Sequence, residues 1–266
     1  MSRKPSVKLG IVIFAVFLLI SLAGLGACST KSDKVIKIGI SQLVQHPALD
    51  SAYEGFIEAL KEAGYEDGKN IKIDLQNAQG DITNAQTIAR KFVDEKVDMI
   101  LAIATSAAQA AANVTKDIPI LITAVTDPVG TGLAQSLEKP GGNVTGTTDM
   151  NPVEEQIQLV KDLVPGLKNL GIMYNSGEPN SVVQVNIAKE VVKKLGWNLV
   201  EATVTNSSEV NQAAQSLVGR VEGIYVPTDN TIVSAIGAVV KVANDAKIPV
   251  IGSERGQVEA GAIATK

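Results

Sequence analysis

The sequence predicts an α/β protein made of two doubly wound parallel-sheet lobes with a ligand cleft between them. Three observations predict it. Short apolar runs alternate with amphipathic helical segments from Val35 to Gly252. Val, Ile, Leu and Ala are plentiful while aromatic residues are only 3% of the chain, as expected of strands buried on both faces under helices. The alternation also restarts near residue 150 with no long linker, which points to two units rather than one large sheet.

Each element follows from local pattern. In the first unit, residues 35–41 predict a strand and 49–63 a helix closed by Gly64. A second strand follows over 70–76, and Asp81 is placed to cap a helix running to near Lys96. Residues 98–104 and 118–123 read as strands flanking a helix over 106–114. Pro128 suits the first turn of another helix. Lys139-Pro140-Gly141-Gly142 then breaks the chain before a strand over 143–147.

The second unit reads as helix 152–164, strand 167–174, helix 181–195 ended by Gly196, and strand 197–203. Helix 207–220 has Ser207 or Ser208 as its cap; strand 221–226, helix 231–246 and strand 248–252 follow. The implied organisation is a leader over 1–27, an N-terminal lobe over 28–145 and a C-terminal lobe over 146–252. The first crossing falls near 143–148, and 253–266 turns back towards the first lobe.

The leader combines Arg3, Lys4 and Lys8 with an apolar run that ends in Leu25-Gly26-Ala27-Cys28. A basic start, an apolar stretch and small residues before a cut site describe a secretory signal peptide. Cys28, the only cysteine, also sits as in a bacterial lipobox, where the thiol takes a diacylglyceryl group and becomes the new N-terminus. An uncleaved membrane helix is the alternative, because the run is just long enough to span a bilayer. Either way, the remainder is expected outside the cytoplasmic membrane and tethered to it.

Composition narrows the function. Without the leader the formal charge moves from −4 to −7, and no basic run exists to meet a nucleic-acid backbone. A single histidine, His46, cannot build a multi-histidine metal centre. No G-x-S-x-G elbow presents a nucleophile and no G-x-G-x-x-G follows a strand. The reading is of a binding protein, not an enzyme, with no catalytic residues, no cofactor and no metal.

In open parallel sheets, ligands bind beyond the carboxyl ends of the strands. Those ends carry Gln42 and His46, then Thr105 and Ser106, then Thr123, Thr126 and Asp127 in the first lobe. In the second they carry Asn175, then Thr228, Asp229 and Asn230, then Glu254 and Arg255. The first lobe offers hydroxyls and helix starts; the second offers carboxylates. That division suits a zwitterion, its carboxylate held at helix N-termini and its ammonium by acids. Each residue also has a plain alternative. Thr105, Ser106, Thr126 and Asp127 can be helix caps, Asp229 a solvated loop acid, and Arg255 an ion-pair partner for Asp229 or Glu254.

Several segments then resemble one family. Ile40-Ser41-Gln42-Leu43-Val44-Gln45-His46-Pro47, Ala104-Thr105-Ser106-Ala107, Val125-Thr126-Asp127-Pro128, Val226-Pro227-Thr228-Asp229-Asn230 and Gly252-Ser253-Glu254 are similar to lipoprotein substrate-binding proteins of ABC importers grouped around tryptophan and tyrosine uptake. The resemblance covers residues 35–266. It implies the type I periplasmic-binding-protein fold and a small-molecule ligand, most naturally an aromatic amino acid. Gln42, His46, Thr105, Ser106, Thr123, Thr126, Asn175, Asp229 and Glu254 are then the ligand-binding residues. The implied partners are ABC permease subunits and, through Cys28, the membrane. A sugar receptor, or a sensor for a membrane signalling partner, would share the same architecture. Members usually continue well past the stretch matching Gly261-Ala262-Ile263-Ala264, so the resemblance also implies a final helix, strands and a third crossing beyond Lys266.

Overall fold

The computed structural model describes residues 35–266; the leader and Cys28 lie outside the described residues. Five strands form the first sheet: β1 (Ile36–Gln42), β2 (Ile71–Asn77), β3 (Met99–Ile103), β4 (Ile120–Val125) and β5 (Val144–Thr148). All pair in parallel, in the order β2-β1-β3-β4-β5. Helices α1 (Pro47–Glu62), α2 (Ile82–Asp94) and α3 (Thr105–Val114) connect them. Helix α2 shows why the sequence folds this way. Ala85, Ile88, Ala89 and Phe92 form one buried stripe at helical spacing, and the Asp81 carboxylate accepts the Asn84 N–H at 2.9 Å as the N-cap. The Phe92 ring lies so close under β1 that a Cβ on Gly39 would come within 2.6 Å of it, which explains a glycine in a central strand.

The second sheet has the parallel order β7-β6-β8-β9, from β6 (Asn169–Asn175), β7 (Asn198–Val204), β8 (Gly223–Val226) and β9 (Val250–Gly252). Its helices are α4 (Val153–Leu163), α5 (Pro179–Lys194), α6 (Val210–Leu217), α7 (Asn230–Ser234), α8 (Ile236–Ala246) and α9 (Arg255–Glu259). Separate apolar clusters cover its two faces, one around Leu217, Val226 and Val239, the other around Ile157, Leu170 and Tyr225. The architecture is two parallel-sheet α/β lobes, as the alternation predicts.

Four local expectations are corrected. Pro128 starts a turn, not a helix. The Asp127 carboxylate accepts the Gly130 N–H at 2.8 Å, and Gly132 at φ +74° ends the turn in a backbone region that favours glycine. Asn206 caps the 3₁₀ turn that leads into α6, its side chain accepting the Ser208 N–H at 3.1 Å; Ser207 and Ser208 lie inside that turn. The helix expected over 231–246 is two helices broken at Ala235. The first sheet runs through Thr148, so the lobes divide at Asp149–Pro152 rather than after residue 145.

The segment after β9 also differs from the expected crossing. After α9 it returns along its own lobe: Ile263 N–H donates to the Val250 carbonyl at 2.8 Å, and Gly252 N–H donates to the Ala264 carbonyl at 3.0 Å. Unpaired main-chain groups on the outer edge of β9 offer this pairing, and Gln156 Nε2 secures it by donating to the Lys266 carbonyl at 3.0 Å.

Candidate functional site: a cavity between the lobes

Strand ends shape the site. Between Ile122 and Val125 the β4–β5 register shifts, with Ala124 at φ +53°. Gly146 of β5 makes this possible, since a Cβ there would sit 2.0 Å from the Ile122 carbonyl oxygen. The irregularity turns Thr123 and Ala124 onto the wall of a cavity of about 240 Å³ between the lobes. That volume lies just below the roughly 300–1,000 Å³ usual for ligand sites. The space fits one small metabolite.

His46 and Thr126 join the wall from the first lobe, Asp149 from the link, and Asn180, Asp229, Asn230 and Glu254 from the second lobe. A side-chain contact joins the two lobes at this cavity, with His46 Nε2 3.3 Å from Asn230 Oδ1.

Two pairs of carboxyl groups border this space. Glu178 is buried and accepts five hydrogen bonds: from Asn180 Nδ2, from the main-chain N–H and Nδ2 of Asn230, and from the N–H and hydroxyl of Thr231, at 2.7 to 3.1 Å. Asp229 is fully buried and accepts from Asn175 N–H and Ser181 Oγ at 2.6 Å and from Ile232 N–H at 2.8 Å, which caps α7. Burial, then the nearby Glu178 carboxylate, pushes the Asp229 carboxyl up, while its donors pull the other way.

Asp149 and Glu254 are built differently. Asp149 Oδ1 and Glu254 Oε1 are shielded from solvent and have no hydrogen-bond partner. Desolvation raises the pKa of both, and Asp149 adds to the rise at Glu254. The Thr126 hydroxyl stands near enough to offset part of the rise at Asp149 without forming a regular hydrogen bond. Two half-buried, unpaired carboxyls are an arrangement that a cationic donor would relieve. Arg255 is not that cation: its guanidinium is exposed and pairs with Glu259 at 2.6 Å.

The expected residues divide accordingly. His46, Thr123, Thr126, Asp229 and Glu254 line the cavity. Asp229 does so with both oxygens engaged by protein donors. Gln42 and Asn175 hold structure. Gln42 Nε2 donates to Asp50 at 2.8 Å and to the Val44 carbonyl, fixing the loop into α1. Asn175 Nδ2 donates to Thr231 Oγ1 at 2.9 Å. Thr105 and Ser106 begin α3 after Ala104 at φ +84°, make no capping hydrogen bond, have buried hydroxyls without partners, and are not among the residues lining the cavity. Asp149 and Asn180 escaped the sequence reading. Asp149 follows β5, so the carboxyl-end rule applied to that strand reaches it; Asn180 carries no such signal.

The profile of the family described as ABC transporter substrate binding protein matches residues 37–266. The chain belongs to that family. A tyrosine-binding protein of Clostridioides difficile is 56% identical over 235 residues, covering 88% of this chain and 68% of the relative. Among solved structures, the ABC domain in complex with L-Trp from Streptococcus pneumoniae is 39% identical with a TM-score of 0.81, covering 86% of this chain and 77% of that one. A ligand-free, open substrate-binding protein with adhesive properties from Clostridium difficile is more similar in sequence, 54% identical over the same shares, yet has a TM-score of only 0.59. Identity and superposition rank the two oppositely. This substrate-binding protein superposes better on the complex with L-Trp than on the ligand-free, open protein.

Proposed function

We propose that this substrate-binding protein is an extracytoplasmic receptor, anchored by a lipid on Cys28, that captures an aromatic amino acid by hinge closure and delivers it to an ABC importer. The observation that carries the reading is the unpartnered Asp149–Glu254 pair inside an interlobe cavity, because an α-ammonium group supplies the charge and donors both acids lack. The names of the two relatives, one tyrosine-binding and one complexed with L-Trp, support the aromatic side chain. Closure then stores binding energy in the bridged state, which ligand stabilises by its higher affinity for closed than open lobes.

A thermal-shift screen of all amino acids and common sugars tests the ligand class. Tyrosine or tryptophan at 100 times its Kd stabilises by about 2.7 kcal/mol, roughly 5–10 °C for a domain of this size. Stabilisation by a sugar and by no amino acid would refute the reading. For the anchor, fatty-acid labelling should tag the wild-type chain and not Cys28→Ser.

A further inference from the structure

Acceptors outnumber the donors of an ammonium group in this cavity. Beside the Thr126 hydroxyl, four acceptor atoms of its lining residues are buried without a partner: Asp149 Oδ1, Glu254 Oε1, His46 Nδ1 and Asn180 Oδ1. An ammonium between the two acids, with the unpartnered Thr126 hydroxyl beside Asp149, supplies the donors for the carboxylates and leaves the neutral acceptors His46 Nδ1 and Asn180 Oδ1 to another part of the ligand.

Hydrogen bonding fixes the orientation of the two neutral acceptors. A Glu178 carboxylate only accepts. Asn230 and Asn180 therefore both turn their NH₂ groups to its Oε2, at 2.7 and 3.0 Å. Asn230 Oδ1 is left facing His46 Nε2 at 3.3 Å, so that nitrogen carries the proton and Nδ1 is a bare lone pair. Asn180 Nδ2 also donates to the Thr228 carbonyl at 3.0 Å, which fixes the amide with Oδ1 turned away from Glu178. Both residues are more than nine-tenths buried. Desolvation lowers the His46 pKa against the opposing pull of Asn230, Asp50 and Glu178, so burial favours the neutral imidazole with Nδ1 as an acceptor.

We propose that His46 Nδ1 and Asn180 Oδ1 form a second recognition point, which accepts a hydrogen bond from the polar group of the ligand's ring. The matching chemistry is a neutral O–H or N–H on an aromatic ring: a phenol or an indole. The receptor then takes tyrosine and tryptophan and discriminates against phenylalanine, which leaves a buried acceptor dehydrated. This rests on the aromatic amino-acid reading above and sharpens it to a ring with a donor.

The test is calorimetric titration of the full chain with tyrosine, O-methyltyrosine, tryptophan and phenylalanine, read beside ¹⁵N NMR of the imidazole. His46 is the only histidine, so its signals need no assignment. Phenylalanine and O-methyltyrosine should bind at least about ten-fold more weakly than tyrosine. The Nδ1 resonance should move with tyrosine or tryptophan and stay nearly still with phenylalanine. In His46→Phe the tyrosine-to-phenylalanine ratio should collapse; loss of the contact to Asn230 alone would weaken both ligands equally and preserve the ratio. Equal wild-type affinity for tyrosine and phenylalanine, an Nδ1 signal blind to the hydroxyl, or an unchanged ratio in His46→Phe overturns this inference and leaves the amino-acid reading standing. Failure of all four ligands overturns both. If His46→Phe does not fold, the ligand series and the spectra of the unaltered protein still decide.

Discussion

Glu178 with Asp229, and Asp149 with Glu254, are two pairs of acids in the same region of one molecule, and they are treated in opposite ways. Every oxygen of the first pair meets a protein donor, and the pair ties α5, α7 and the end of β6 into one block. The second pair has one shielded oxygen on each residue with nothing to accept from. Burial does not separate scaffold from site here, since Asp229 is the most buried of the four and lines the cavity too. Saturation does: a carboxylate whose donors come from its own protein holds the fold, and one without them awaits a ligand.

Breaking the saturated pair should have the largest effect. Glu178→Ala strands five donors and is expected to cost about 3–5 kcal/mol, seen as a melting temperature lowered by roughly 6–20 °C. It should also weaken ligand binding, because Asn230 and Asn180 lose the group that orients them. A melt within a degree or two of wild type would dissolve the distinction between the pairs.

The unsaturated pair should respond the other way round. Asp149→Asn and Glu254→Gln remove poorly solvated charge, so ligand-free melting temperature should hold or rise. Each should lose a charge-assisted hydrogen bond of about 1.5–3 kcal/mol to the ligand, a fall in affinity of roughly 10- to 150-fold. Calorimetry beside thermal denaturation separates the two readouts.

Acidity sharpens the same contrast. Desolvation raises the pKa of Asp149 and Glu254 in the free protein, and an ammonium would hold both ionised. The bound state then carries fewer protons than the free state, so affinity rises with pH until both acids are ionised without ligand, and falls as pH is lowered below that point. His46 acts in the same direction, because protonation would cap Nδ1 and add a charge that repels the ammonium. Titrations between pH 7 and about 5, in buffers of different ionisation enthalpy, should show weakening and proton release on binding. Affinity that strengthens on acidification would contradict the assignment.

Arg255→Ala should have the smallest effect. Its ion pair with Glu259 is 90% and 60% exposed at its two side chains, and such surface pairs contribute about 0–1 kcal/mol. Ligand affinity should stay within about two-fold, measured on the same calorimeter.

Much of this was legible in the sequence. Apolar runs alternating with amphipathic segments predict both sheets, and the carboxyl-end rule reaches His46, Thr123, Thr126, Asp229 and Glu254 on the cavity wall. The roles of the acids were not legible. Asp229 is saturated by Asn175, Ser181 and Ile232, two of them about fifty positions away, and no local pattern records such a convergence. Asp149 follows an exposed edge strand of Thr and Gly that looks like a linker, and it shares a cavity with second-lobe residues far away in sequence. The turn at Pro128 departs from the pattern for a simpler reason: proline fits the start of a helix and of a turn equally well, and the glycines at 130 and 132 decide.

The central claim is that Asp149 and Glu254 hold the ligand's ammonium. It is tested most directly by titrating wild type and Glu254→Gln with tyrosine and with 3-(4-hydroxyphenyl)propionate, which lacks only the amine. Wild type should prefer tyrosine by at least about ten-fold, and the substitution should weaken tyrosine alone, shrinking that preference several-fold. Equal weakening of both ligands, or of neither, would mean the ammonium lies elsewhere and would contradict the account.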